Sequence, residues 1–185
     1  VEPIAKHLVK KGVKHLVVFA FSTENWNRSK EEVEYLLQLF ETVADEISSR
    51  LRRENIAVRF AGQRERFGKS LQKAMSEAEA NAPKDPAITV WWCLSYGGRA
   101  DIVQAARKAR DISEESIGAN LWTAGMPDPD LIVRTGGEMR LSNFLLWQGS
   151  YSELFVTKTY WPSFRPDEMD ALLEEYATRK RRMGR

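Results

Sequence analysis

The spacing of hydrophobic residues changes repeatedly along this chain, and the changes predict alternating strands and helices. VKHLVVFAF is a short, nearly continuous apolar run with β-branched residues, which favours a strand covered on both faces at about residues 14–20. From Ser29 to Asn55, apolar residues instead recur every three to four positions, which predicts one long amphipathic helix. Ser29 followed by Glu32 predicts a capping box at the start of that helix.

The same alternation continues to the end of the chain. Further strands are predicted at IAVRFAG, AITVWWCLS, LIV and ELFVT, and further helices at ERFGKSLQKAMSEAEANA, GGRADIVQAARKAR and FRPDEMDALLEEYATRKRR, with a short helical piece between Asp111 and Asp130. An opening helix is predicted to end near Gly12. Strands that alternate with helices of this length predict an α/β fold of three layers, in which helices flank a mostly parallel central sheet. With no repeat or linker in the chain, we expect residues 1–185 to form a single domain.

Composition and charge exclude several classes of protein. The 28 basic and 26 acidic residues nearly cancel, so the summed charge does not favour a nucleic-acid partner or a membrane-binding surface, and any polyanion site must be local. No apolar run approaches the roughly 20 residues that span a bilayer. Cys93 is the only cysteine and cannot form an internal disulfide, which is typical of a cytoplasmic protein.

Three of the predicted strands end in stretches that could bind a ligand, at the edge of a parallel sheet where ligands usually bind. After the first strand, FSTENWNRSK contains Ser22, Asn25, Trp26 and Arg28, and it is either a functional loop or a capped loop with a packing tryptophan. After the third strand, SYGGRADI has two glycines before a helix. They either present backbone amides to an anion or form a plain turn.

The stretch RTGGEMRLSN, after the fourth strand, has the clearest binding chemistry. It contains Arg134, Glu138, Arg140 and Ser142 around two adjacent glycines. Guanidinium groups match phosphate oxygens, so we interpret the stretch as a diphosphate site, with a surface ion pair between Arg134 and Glu138 as the alternative. Glu153, on the next strand, is a candidate magnesium ligand, because Mg²⁺ binds through one or two carboxylates plus substrate phosphates. Taken alone, a carboxylate at this position is more often only an edge charge.

The C-terminal RKRRMGR is strongly basic. It is a solvated tail, an RNA or lipid-headgroup patch, or an arm that reaches a diphosphate. Neither His7 nor His15 lies at the carboxyl end of a predicted strand, so we do not expect either to be catalytic.

Taken in order, the motifs FSTENWNR, SYGGRADIV, DPDLIVRTGGEMRLSNFLLWQGSYSELF and WPSF resemble the cis-prenyltransferases, the undecaprenyl diphosphate synthase or isoprenyl transferase family. The similarity runs from about Val1 to Gly184. It implies a homodimeric, Mg²⁺-dependent enzyme that condenses an allylic diphosphate, usually farnesyl diphosphate, with isopentenyl diphosphate to build a cis-polyprenyl diphosphate. The lipid product implies a transient contact with a membrane surface.

The resemblance also implies roles for individual residues. Arg134, Arg140 and Ser142, together with Glu138 in the same motif, match the block that binds isopentenyl diphosphate, and Glu153 matches a magnesium-associated carboxylate. Ser22, Asn25, Trp26 and Arg28 match the motif beside the reacting carbons, with Ser22, Asn25 and Trp26 as catalytic candidates and Arg28 as a substrate-binding residue. Arg182 and Gly184 match a C-terminal element that reaches a diphosphate in the dimer.

The chain departs from the family pattern in three places. The family begins with a strand and a loop that carries Asp-Gly-Asn-x-Arg-Trp, and no such segment precedes Val1, so we expect residues 1–185 alone to be inactive. Ser95 and Ser163 stand where the family usually has Asn and often has Asp. Two alternatives to an active enzyme remain: a non-catalytic partner subunit or degenerate homologue that keeps the fold, and an RNA-binding module that uses the basic tail.

Trp91 and Trp92 are adjacent on the third predicted strand, and the resemblance places that strand along the tunnel for the growing product. Successive strand residues face opposite sides, so we expect one indole to point toward the tunnel and the other away from it. Either one indole limits the length of the product, or both simply fill the core. The long helix, with Leu36, Phe40 and Val43, is a second candidate for the tunnel wall.

Overall fold

The computed structural model describes residues 1–180, and for residues 43–48 it describes the backbone alone. The chain divides into two compact units, Val1–Ala124 and the residues from Gly125 onward. Each unit has its own parallel sheet, of three strands in the first and two in the second. The prediction that residues 1–185 form a single domain stays a prediction.

The first unit alternates helices and strands as the hydrophobic pattern predicted. Its elements are α1 (Glu2–Lys10), β1 (His15–Ser22), α2 (Lys30–Arg53), β2 (Ile56–Ala61), α3 (Lys69–Ala80), β3 (Ile88–Tyr96), α4 (Gly98–Lys108) and α5 (Glu114–Gly118). The strands lie in the order β1-β3-β2, and both pairings are parallel. β1 extends to Ser22, beyond the predicted end at about residue 20, so Ser22 lies at the carboxyl end of the strand.

The predicted capping box at the start of α2 forms only in part. The Ser29 hydroxyl accepts a hydrogen bond from the Glu32 N–H at 3.2 Å, as the box requires. The Glu32 carboxylate does not return the bond to Ser29, because it accepts from the Arg28 guanidinium at 2.7 Å. A charge-assisted bond to arginine is stronger than a bond to a neutral amide, which explains the exchange of partner.

The face of this sheet that α2 and α3 cover contains the aromatic part of the core. Its buried residues are Phe21, Phe67, Leu71, Met75 and Leu94, with Ala20, Trp26, Leu36, Leu37, Phe40, Phe60 and Trp92 packed against them. Trp91, by contrast, donates its indole N–H to His15 Nδ1 at 3.2 Å. The two adjacent tryptophans therefore face opposite sides of the sheet, as predicted. The side chain of Val43 lies outside the described residues.

The second unit contains β4 (Leu131–Thr135), β5 (Glu153–Thr157) and α6 (Pro166–Thr178). β4 and β5 are parallel, with Leu131 opposite Glu153 and Arg134 opposite Val156. Its buried apolar residues are Ile132, Leu145, Phe155, Phe164 and Met169. α6 ends at Thr178, before the basic residues that the sequence prediction had included, because the backbone turns to an extended conformation at Arg179.

The fold class is confirmed, since every strand pair of both sheets is parallel and helices flank the strands. Within residues 1–180, no helix combines the length and the apolar composition needed to cross a membrane.

Candidate active site

Ser22 and Asn25 hold each other at the carboxyl end of β1. The Ser22 N–H donates to Asn25 Oδ1 at 2.8 Å, and the Asn25 N–H donates to Ser22 Oγ at 3.2 Å. This reciprocal cap begins a short 3₁₀ helix, Thr23–Asn27. The loop is therefore a capped turn, and the capping fixes the direction in which Trp26 leaves the backbone.

The Trp26 side chain is held on several sides. Its ring meets Phe21 edge-to-face at a centroid distance of 5.1 Å and lies 5.6 Å from the ring of Phe67. The Arg66 guanidinium lies 4.3 Å from its centroid, within the range of a cation–π contact. The indole N–H donates to Ser95 Oγ at 2.8 Å. Trp26 is only partly buried, and the one polar atom of its side chain, the indole nitrogen, has a hydrogen-bond partner.

Ser95, which binds this indole, has an unusual backbone. It is fully buried near the end of β3 and has a φ of 47°, a conformation that non-glycine residues rarely adopt. The register of β1 against β3 shifts here, since Phe21 pairs with Leu94 but Ser22 pairs with Tyr96, which leaves Ser95 as a bulge. Strain of this kind costs on the order of 1–3 kcal/mol and clusters at functional sites.

The end of β2 closes tightly around this bulge. The Ser95 hydroxyl donates to Gln63 Oε1 at 3.0 Å, and the Gln63 N–H donates to the Ser95 carbonyl at 3.2 Å. A Cβ on Gly62 would lie 1.9 Å from the Leu94 carbonyl oxygen, and the φ of Gly62 is 129°. Only glycine fits at this position.

Arg28 lies at the surface rather than in the indole network. Its guanidinium pairs with Glu32 at 2.7 Å, and both side chains are about half exposed. The structure therefore places Arg28 where it could exchange this carboxylate for a phosphate, because exposed ion pairs of this kind contribute little and break readily.

The glycines of SYGGRADI form a plain turn into α4. Gly97 caps the helix, and Asp101 in the first turn is buried. The Asp101 carboxylate accepts from the Tyr96 hydroxyl at 3.1 Å and from the Trp122 N–H at 2.7 Å. Since the protein already places its own carboxylate at this helix N-terminus, the turn alternative is favoured over an anion site.

Burial, and secondarily the charge of Asp101, raises the pKa of the Cys93 thiol, which keeps it protonated and unreactive.

In the second unit, the segment after β4 contains five residues with positive φ. The residues with positive φ are Gly136, Gly137, Ser142, Asn143 and Leu145. Three of them are not glycine, and such conformations persist only where the surrounding structure enforces them. The two glycine N–H groups donate to the carbonyls of Thr159 and Thr157, at 3.0 and 2.8 Å. These bonds fix the first half of the segment against the last residue of β5 and the turn that follows it.

Arg134 fixes the second half. Its guanidinium Nη1 donates both to the Arg140 carbonyl at 2.8 Å and to Ser142 Oγ at 2.9 Å. Its Nε is buried and has no acceptor within the described part of the chain. Glu138 pairs with Arg140 and not with Arg134. The predicted alternative, an ion pair between Arg134 and Glu138, is therefore wrong. The Arg140 and Glu138 side chains are both more than half exposed, at 59% and 56%.

Glu153 lies apart from this cluster. It begins β5 and pairs with Leu131, whereas Arg134 is level with Val156, three residues further along β5. At about 3.3 Å per residue, that separation is roughly 10 Å along the strand. The structure therefore places Glu153 at the amino end of the strand, not beside the arginines as the order of the motifs had indicated.

The predicted site residues thus form two groups and leave three residues outside them. Ser22, Asn25 and Trp26 lie together in the first unit, with Arg28 at the surface nearby in sequence. Arg134, Glu138, Arg140 and Ser142 lie together in the second. Glu153 is separate, and Arg182 and Gly184 lie outside the described residues.

A magnesium ion would have few protein ligands here. In residues 1–180, no group of three or more His, Cys, Asp or Glu side chains is arranged to hold a metal. A single carboxylate such as Glu153 fits only the type of site in which substrate phosphates supply most of the oxygens, which is common for Mg²⁺.

A family model described as putative undecaprenyl diphosphate synthase matches residues 1–184. The chain belongs to this prenyltransferase family. An isoprenyl transferase of Neisseria gonorrhoeae is 42% identical over 189 residues, which cover 100% of this chain and 76% of the relative. An Acinetobacter baylyi protein named ditrans,polycis-undecaprenyl-diphosphate synthase ((2E,6E)-farnesyl-diphosphate specific) is 43% identical over 195 residues, covering 100% of this chain and 78% of the relative.

Solved structures of the family agree with the fold. A probable undecaprenyl diphosphate synthase from Campylobacter jejuni superposes with a TM-score of 0.92 at 31% identity, covering 100% of this chain and 89% of the other. Lavandulyl diphosphate synthase from Lavandula x intermedia, in complex with dimethylallyl diphosphate, superposes with a TM-score of 0.93 at 33% identity, covering 100% and 84%.

Sequence reasoning on this prenyltransferase missed Gln63, Arg66, Ser95 and Asp101. Ser95 was noted only as a departure from the family pattern, and its contact with Trp26 joins residues 69 positions apart. The signal that could have found the group is Gly62, because a glycine at the end of a predicted strand often marks a close backbone approach. Nothing in the local sequence indicates that Arg66 covers the indole.

Proposed function

We propose that this prenyltransferase condenses isopentenyl diphosphate with an allylic diphosphate, farnesyl diphosphate being the expected primer, to form a cis-polyprenyl diphosphate. Family membership over residues 1–184 supports the reaction class, as do relatives named isoprenyl transferase and undecaprenyl diphosphate synthase. The observation on which the proposal depends most is the strained segment after β4, where Arg134 orders Arg140 and Ser142.

In the proposal, this segment binds the diphosphate of isopentenyl diphosphate. Arg134 holds the backbone at Arg140, and the Ser142 hydroxyl, which accepts from Arg134, keeps its own proton to donate to a phosphate oxygen. The unpartnered Arg134 Nε–H is a further donor. Glu138 holds the exposed Arg140 guanidinium until a phosphate, with more acceptor oxygens, replaces the carboxylate.

The reaction forms one carbon–carbon bond. The bond between the allylic carbon and its diphosphate breaks, the diphosphate leaves with the electron pair, and the double bond of isopentenyl diphosphate attacks the allylic carbon. A proton is then lost from the isopentenyl unit. Negative charge develops on the leaving diphosphate, and guanidinium groups stabilise it without a proton transfer. Arg28 is the candidate for this contact in the first unit, and Ser22, Asn25 and Trp26 are the candidates that position the reacting carbons. Of these three, only Ser22 and Asn25 have a side-chain oxygen that can accept the proton.

Mg²⁺ is part of the proposal, and the family motif supplies Glu153 as the candidate protein ligand, about 10 Å along β5 from the level of Arg134. When bound, the ion neutralises diphosphate charge as a Lewis acid. The residues themselves orient the diphosphate, and the arginines supply the remaining positive charge.

We further propose a homodimer, a reducing compartment such as the cytoplasm, and a transient contact with a membrane surface through the lipid product. The compartment is supported by Cys93, which is buried and unpaired. Arg182 and Gly184 remain candidates for a contact with a diphosphate in the dimer.

A non-catalytic subunit of the same fold is not favoured. A scaffold that only dimerises has no physical need for three non-glycine residues at positive φ beside two arginines. The RNA-binding alternative depends on the basic tail, most of which lies outside the described residues.

The test is condensation by the purified complete protein with labelled isopentenyl diphosphate, farnesyl diphosphate and Mg²⁺, with the products separated by chain length. We expect a cis-polyprenyl diphosphate in the wild type and strongly reduced product in an Arg134→Ala, Arg140→Ala double variant. No product from the wild type, together with no calorimetric binding of isopentenyl diphosphate, would show that the non-catalytic alternative is correct.

A further inference from the structure

The Trp26 indole is fixed by a group of residues to which the family motifs assign no role. Its N–H donates to Ser95 at 2.8 Å, and the Ser95 hydroxyl donates in turn to Gln63 at 3.0 Å. We propose that Ser95 and Gln63 are positioning residues that set the orientation of Trp26 for the condensation. The inference rests on the proposed function, because that function places Trp26 beside the reacting carbons.

The first argument is the strain at Ser95. A residue at φ 47° in a fully buried bulge would be glycine if only the backbone mattered, because glycine adopts this conformation without strain. The chain instead has a side chain there, and that side chain binds the indole. Bulges next to active sites often serve to redirect one side chain. The direction gained here is the one that reaches Trp26.

The second argument is that the Ser95 hydroxyl both donates and accepts a hydrogen bond. A hydroxyl has one proton to donate, and the proton goes to Gln63 Oε1, which leaves the oxygen to accept from Trp26. Gln63 also donates its backbone N–H to the Ser95 carbonyl at 3.2 Å. Two bonds from the same residue therefore fix both the backbone and the hydroxyl orientation of Ser95.

The third argument is that the contacts restrain the indole in different directions. The Arg66 guanidinium covers its face at 4.3 Å, and the Phe21 ring meets it edge-to-face at 5.1 Å. These contacts limit tilting but allow the ring to slide in its own plane. The bond from the indole N–H to Ser95 removes that freedom, so its loss should change the position of the ring without unfolding the site.

The first experiment observes the bond directly. In the ¹⁵N-labelled protein, the indole N–H signal of Trp26 is the one that disappears in Trp26→Phe. In Ser95→Gly, we expect this proton to exchange with solvent about tenfold faster, the change expected from one lost hydrogen bond. Ser95→Asn should restore slow exchange, because asparagine tolerates this backbone and its amide can accept from Trp26 and donate to Gln63. Ser76→Ala, which removes an exposed hydroxyl on α3, is the control.

The second experiment measures kinetics in the complete protein. We expect Ser95→Gly to lower kcat by about tenfold to a hundredfold, because a small misplacement of a positioning group has this effect, with the KM for isopentenyl diphosphate within about twofold. The thermal midpoint should stay close to wild type, since relief of strain offsets the added flexibility of glycine. Gln63→Leu should change kcat in the same direction, Ser95→Asn should recover it, and Ser76→Ala should leave it unchanged.

A double variant separates this inference from the proposed function. If Ser95 acts through Trp26, Ser95→Gly should add nothing to the loss in Trp26→Phe. Independent, additive losses would overturn the inference, as would unchanged indole exchange and unchanged kcat in Ser95→Gly. If wild-type protein makes no product while the exchange result holds, the proposed function is wrong and the structural restraint on Trp26 is correct.

Discussion

The two groups of candidate residues solve different physical problems. In the first unit, around Trp26, side chains bind one another and the non-glycine residue with positive φ is Ser95, at 47°. In the second unit, three non-glycine residues have positive φ, Ser142, Asn143 and Leu145, and the charged side chains of Glu138 and Arg140 are exposed. The first arrangement suits a rigid position beside reacting carbons, and the second suits the capture of a diphosphate that must enter and leave.

The largest expected effect concerns the close approach on which the Trp26 region depends. Gly62→Ala would place a Cβ 1.9 Å from the Leu94 carbonyl oxygen at a φ of 129°. We expect it to lower the free energy of unfolding by about 3 kcal/mol or more, because clash and backbone strain add. Chemical denaturation measures the change.

Gly118→Ala is the matched control, since nothing lies within 4 Å of a Cβ at that position. It should change stability by no more than about 1 kcal/mol. Equal effects of the two substitutions would show that the bulge at Ser95 does not depend on Gly62.

The next effect concerns the second unit. Arg134→Ala removes the bonds to the Arg140 carbonyl and to Ser142, and with them the proposed contact to a diphosphate. We expect isopentenyl diphosphate to bind more weakly by about 1.5–3 kcal/mol, the range for a charge-assisted bond. Titration calorimetry on the complete protein is the measurement.

Arg179→Ala provides the control, because Arg179 is an arginine of the same unit that pairs with Glu175 in an exposed position. It should leave the affinity for isopentenyl diphosphate unchanged. An Arg134→Ala variant with wild-type affinity would show that this segment is not the binding site for the diphosphate.

A smaller effect concerns the length of the product. Trp92 packs against the same buried cluster as Trp26, whereas Trp91 is hydrogen-bonded to His15 on the other face. If the product extends along this core, Trp92→Leu should lengthen it by at least one isoprene unit, and Trp91→Leu should not. Chromatographic sizing of the products decides the question. Unchanged lengths in both variants would mean that the indoles only fill the core.

The smallest effect is a pH dependence confined to the first unit, which contains both histidines of the chain. Burial lowers the pKa of His15, so the unfolded state takes up a proton at higher pH than the folded state. Stability should therefore fall as the pH drops below about 6.5, the unfolded value, and continue to fall until the folded group is protonated. Protonation would also remove the acceptor for Trp91.

In His15→Gln, we expect the thermal midpoint to change less between pH 7 and pH 5 than it does in the wild type. Identical slopes in the two proteins would contradict a contribution from His15.

The sequence predicted the elements well because their hydrophobic spacing is local. Every strand was predicted close to its observed bounds, and ELFVT matches β5 residue for residue. The motif positions also identified the loop at Trp26 and the segment at Arg134 as the places for polar side chains. The family resemblance, not the spacing, supplied the chemistry.

What could not be predicted are contacts between distant positions. The bulge at Ser95 depends on Gly62 and Gln63, which follow the end of β2, and the partner of Glu138 depends on how the backbone turns at Gly136 and Gly137. The order of the motifs placed Glu153 beside the arginines, although strand register places it at the opposite end of β5. Register is a property of the paired strands and is not visible in either strand alone.

We propose that residues of the first unit position the reacting carbons and that residues of the second bind the diphosphate. These roles can be separated by measuring kcat and the KM for isopentenyl diphosphate, side by side, in Ser95→Gly and Arg140→Ala of the complete protein. We expect a lower kcat with KM within about twofold of wild type in Ser95→Gly, and a higher KM as the main change in Arg140→Ala. If both variants change the same constant, or if the pattern is reversed, the division of roles between the two regions is wrong.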